Sequence, residues 1–162
     1  MNPESTVPSR LARVIAVVRI ATGAIFFLFG EYKLASPDFA HTGFSQYLQG
    51  YIDSSAWRIY VPVLKFVAAH AVFFGYMVGV TEILIAASLI LGLFVRPMSI
   101  VGALYMLNLI AATWWESGHG VPVWRYFGAE LDHIPLLFLF SIFYAADAGQ
   151  TWGLDRRKTA RF

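Results

Sequence analysis

The 162 residues would make one ordinary soluble domain by length, but 58% are hydrophobic, 14% are charged and the mean hydropathy is +0.61. Soluble domains carry roughly a quarter charged residues, so lipid is the solvent this composition calls for. A net charge of +2 argues against a nucleic-acid partner, and the absence of cysteine excludes disulfide relays, thiolate catalysis and Cys-held iron–sulfur or zinc sites within this polypeptide.

Arg10 and Arg13 precede an apolar run that begins at Val14 and continues to Gly30. That run exceeds the ~7–15 residues of a signal-peptide core, and no small-x-small cleavage site precedes Glu31, so it predicts an uncleaved first helix over about 14–33. A membrane helix needs about 20 largely apolar residues. Three further segments follow: about 66–94, about 98–115 and about 131–146, the last the shortest. Arg96-Pro97 ends the second, because proline disfavours helix in the residue before it and suits a first turn. The chain therefore reads as all-α, a single transmembrane four-helix bundle over 1–162.

Two loops connect the spans at one end, about 34–65 and about 116–130. In the first, Phe44, Tyr47, Leu48 and Tyr51 recur at helical spacing opposite Ser45, Gln46 and Gln49, which predicts an amphipathic helix lying on the membrane or capping the bundle. The second is punctuated by Gly and Pro and flanked by Trp114, Trp115 and Trp124, as an aromatic belt would be. Arg10, Arg13, Arg96, Arg156, Arg157, Lys158 and Arg161 fall on one side. The positive-inside rule then places both termini and a tail over 148–162 in the cytoplasm, with the long loops outward.

An ionisable side chain near the bilayer centre costs on the order of 2.5–3.5 kcal/mol, so each one calls for a partner or a role. Glu82 lies midway along the second span. Arg19, on a face of the first span shared with Gly23, Phe26, Gly30 and Lys33, is the expected cation, and the pair reads either as a register-fixing ion pair or as a proton- or quinone-associated carboxylate. At the outward end, Glu31, Lys33, His70, Trp114, Trp115, Glu116, Asp132 and His133 should lie at similar depth. Such a set offers hydrogen-bond donors, titratable groups and aromatic walls, which a quinone headgroup needs, although an ordinary interfacial layer has the same composition.

His70 and His133 on facing helices also fit bis-His haem ligation, a weaker reading than the headgroup-level cluster. The four histidines lack metal-ligand spacing, so no metal site is expected. Asn108 reads as interhelical glue.

These residues resemble the DoxX-like membrane proteins and the related DoxD subunit of thiosulfate:quinone oxidoreductase. The matching features are Arg19, Gly23, Phe26, Gly30 and Lys33, then Glu82 leading to Leu89, Leu91, Gly92, Leu93 and Val95-Arg96-Pro97, and an ending from Asp147 to Gly153-Leu154-Asp155 similar to that of the DoxD side. The resemblance implies a four-helix bundle in a bacterial or archaeal cytoplasmic membrane, associated with quinone-linked redox enzymes or with complexes handling oxidative and thiol stress. The function expected is a small subunit of a quinone-linked redox complex, contributing part of a quinone site, with lipid and partner proteins or further copies of itself as neighbours. A purely structural accessory subunit of a respiratory or photosynthetic assembly is the alternative. A transporter is disfavoured, since four helices with few polar residues leave little room for a pathway.

Overall fold

A computed structural model of the chain describes residues 9–114 and 133–156, and the described residues are helical with no strand. Helix α1 spans Ser9–Ala35. After a break at Ser36 the chain forms two wide π-type turns, Phe39–Gly43 and Tyr51–Ser55, on either side of α2, Phe44–Gly50. Then follow α3 (Val61–Ala69), α4 (Ala71–Leu91), α5 (Val95–Ala112) and α6 (His133–Ala145). Of these, α1, α4 and α5 are long and apolar enough to cross a membrane, while α6 is apolar but has only 13 residues. The predicted loop over about 116–130 lies outside the described residues.

The segment read as one helix over about 66–94 is divided at His70, whose backbone leaves helical geometry (φ −125°, ψ 35°). Neither Gly nor Pro marks this break. At the other end of α4, Gly92 (φ +63°) and Phe94 (φ +55°) take left-handed conformations, and α5 starts at Val95 with Arg96-Pro97 already in its first turn.

Helix α1 packs mainly on α4, and α5 on α6. Phe26, Ile85, Leu89, Val95, Met106, Phe140 and Phe143 form the main core, while Phe27, Leu28, Phe73, Leu84, Leu104 and Phe138 point away from it toward what lipid would cover. A second cluster of Leu48, Leu64 and Ala112, with Phe44 and Tyr51 against it, fixes the amphipathic helix α2 as a cap over the bundle's loop end.

Candidate functional site

The faces of α1 and α4 marked by small residues do meet. Gly23 lies against Leu89 and Ile90, Gly30 against Glu82 and Ile83, and Gly79 against Lys33 and Leu34. A methyl group at any of them would collide with the facing helix, so glycine sets how closely these backbones approach.

That register decides which cation meets Glu82. The expected Arg19–Glu82 pair does not form; the partner is Lys33, whose Nζ lies 2.5 Å from Glu82 Oε1. Helical side chains lean toward the helix N-terminus. From the last turn of α1, Lys33 therefore reaches back to the level of Gly30, where Glu82 sits, whereas Arg19 leans away from Glu82 toward the opposite end. The side chains of Glu82 and Lys33 are 4% and 19% exposed.

Tyr105 of α5 also donates to Glu82 Oε1, at 2.7 Å. Both donors thus converge on one carboxylate oxygen, and the buried Oε2 has no hydrogen bond among the described residues. The Lys33 ammonium is flanked by the rings of Phe29 and Phe39, 5.9 and 5.7 Å from their centroids, which orients it through cation–π attraction. Tyr105 had only its helical face in the sequence, beside Asn108, and nothing singled out its hydroxyl. Asn108 itself accepts a hydrogen bond from Tyr60 at 2.8 Å, tying α5 to the start of α3.

Arg19 is fully buried at the end where α4 turns into α5. It donates to the carbonyls of Leu89 (2.5 Å), Thr151 (3.3 Å) and Trp152 (3.4 Å), and the acid whose charge acts on it is Asp155. Asp155 in turn accepts from the backbone N–H groups of Phe94 and Val95 at 2.9 and 3.0 Å, capping α5. Backbone bonds from Leu154 to Leu91 and from Asp155 to Gly92 complete a strap that docks the Gly153-Leu154-Asp155 ending on the turn.

Glu31 is exposed on α1. His70 is exposed, its Nδ1 3.0 Å from the Phe66 carbonyl and its ring on that of Phe66, and Trp114 packs on Trp57 with centroids 5.8 Å apart. His133 opens α6. Lys33, His70 and Trp114 each turn to a partner outside the expected set, while Trp115, Glu116 and Asp132 lie outside the described residues.

Chemically, the Lys33–Glu82–Tyr105 group can hold a proton within an apolar bundle. The carboxyl group has one oxygen saturated and one open, with an ammonium beside it to balance charge.

A family model for DoxX matches residues 14–115, a stretch that contains Arg19, Lys33, Glu82 and Tyr105. No curated protein and no solved structure matches the chain. With well over half of the residues matched, and with helices suited to a bilayer, this membrane protein belongs to the DoxX family.

Proposed function

We propose that this DoxX protein is a small subunit working beside a quinone-linked redox complex in a bacterial or archaeal cytoplasmic membrane, and that Lys33, Glu82 and Tyr105 form its proton-holding group. One observation carries the reading: among the described residues Glu82 Oε2 is buried without a hydrogen bond, while Lys33 and Tyr105 both donate to Oε1. An unpartnered buried polar atom costs about 1–3 kcal/mol, and ionisable groups kept within membrane bundles commonly mark proton or substrate sites. The basic residues at the turn end, Arg96 and Arg156, and at the start of α1 support a cytoplasmic placement of both termini.

The same orphaned oxygen is an acceptor, and it fits the hydroxyl of a quinol. Glu82 would accept that hydroxyl at Oε2, with the Tyr105 hydroxyl holding Oε1 in place; when bound, a quinol would supply two electrons, which the partner complex takes up. Lys33 holds the carboxylate in place, and the rings of Phe29 and Phe39 orient the ammonium.

Gently solubilised complexes provide the test, with mass spectrometry reporting neighbours and bound quinone, and Glu82→Gln removing the carboxylate at constant size. Read per assembled complex, the variant should lose quinone-linked turnover by about 10²-fold, as loss of a general acid–base group does. Unchanged turnover per assembled complex removes this reading.

A structural accessory role is favoured by a different observation, the strap at Arg19, where a buried guanidinium is spent on the chain's own carbonyls. On that reading Arg19→Met lowers the yield of assembled complex and leaves turnover per assembled complex intact.

A further inference from the structure

Where α1 gives way to the first π-type turn, the chain leaves an open hollow of about 480 Å³. Tyr32, Asp38, Phe39, Thr42, Gln46 and Tyr47 line it. Its walls are aromatic: Phe39 meets Tyr32 edge-on with centroids 6.2 Å apart and lies 6.4 Å from Tyr47. Both tyrosines are 60% exposed, whereas Phe39 is buried and forms the floor.

The charge in this hollow is one-sided. Asp38 is exposed, and its carboxylate enters neither an ion pair nor a hydrogen bond among the described residues. Thr42 donates its hydroxyl proton to the Asp38 carbonyl at 2.8 Å, which leaves its oxygen as an acceptor. Lys33, whose ammonium lies 5.7 Å from the Phe39 centroid, is already matched by Glu82. An anion entering here would face Asp38 unshielded.

We infer that the hollow binds a quaternary ammonium ion, presented by a free small cation or by the headgroup of a choline lipid. Aromatic faces carry the negative end of the ring quadrupole, and a cage of rings beside a carboxylate suits an ammonium too bulky to keep a tight water shell. The Lys33 ammonium, 5.7 Å from the Phe39 centroid, shows that this ring accepts such a charge. Between them, Tyr32 and Tyr47 supply the open walls that a second, exchangeable cation needs. The inference stands apart from the quinone reading, since it uses neither Glu82 nor Tyr105.

The full chain, purified in a maltoside detergent, is titrated with choline and with its neutral isostere 3,3-dimethylbutan-1-ol, binding being read by saturation-transfer NMR. Choline should bind saturably and the isostere at least about tenfold more weakly, within what charge-dependent contact with a ring and a carboxylate supplies. Asp38→Asn and Tyr47→Ala should each weaken choline about tenfold, while Tyr47→Phe retains it, as a ring-face contact requires. In phosphatidylglycerol vesicles, displacement of choline by added phosphatidylcholine supports a lipid headgroup as the source, and persistence of binding supports a free small cation. Absence of saturable choline binding in both settings overturns the inference. Equal affinity for the isostere, or unchanged affinity in a well-folded Asp38→Asn protein, overturns it as well.

Discussion

Replacing Lys33 by Met keeps most of the side-chain stem and removes the ammonium. Glu82 then retains the Tyr105 hydroxyl on Oε1 but no cation, with a side chain only 4% exposed. At 2.5 Å and an effective dielectric constant of about 20, the gross attraction between the two charges is ~7 kcal/mol. Desolvation costs several kcal/mol per ion, so the net contribution of the intact pair is small, yet removing one partner of a buried pair costs about 3–5 kcal/mol. Lys33→Met should therefore destabilise the folded protein by about 3–5 kcal/mol, and adding Glu82→Gln should recover most of the loss. Unfolding by SDS titration in mixed micelles measures both variants and their coupling. The same cycle on Arg19 and Glu82 should be additive within about 0.5 kcal/mol, because Arg19 bonds at Leu89, roughly 10 Å further along α4. A Lys33→Met protein within about 1 kcal/mol of the parent, or strong coupling of Glu82 to Arg19 in place of Lys33, would refute the assignment of partners.

Asp155→Ala uncovers the N–H groups of Phe94 and Val95 and should cost about 1–2 kcal/mol, with Asp155→Asn losing less; thermal denaturation followed by size-exclusion chromatography measures both. Gly102→Val places its Cβ within the space of the Phe140 ring and should destabilise by about 1–3 kcal/mol in the same assay, whereas a neutral outcome would contradict the α5–α6 packing. Burial holds the Tyr60 phenol above the ordinary tyrosine range, so the folded state binds its proton more tightly than the unfolded state. The associated stability is fully present below the unfolded value of about 10 and is lost as pH rises through the folded value, which ultraviolet titration of the parent against Tyr60→Phe detects. Tyr60 ionisation at or below about pH 10 contradicts that environment.

The amino-acid pattern determines the solvent, the all-helical class and the residues that sit badly in lipid. Long apolar runs fix the helices, glycine spacing marks the α1 and α4 faces that pack, and Arg19, Lys33 and Glu82 stand out as charges within those runs. Helical periodicity reports which face a residue occupies but says nothing of how far one helix slides along its neighbour. That axial offset, together with the backward lean of helical side chains, gives Glu82 to Lys33. Tyr105 and the break at His70 had no distinguishing signal, because a phenol looks like any lipid-compatible ring and no Gly or Pro marks the break. The role of Arg19 was equally hidden, since it bonds to main-chain carbonyls 70 to 133 residues away. Every residue type offers that acceptor, so only the folded chain decides which carbonyls come within reach.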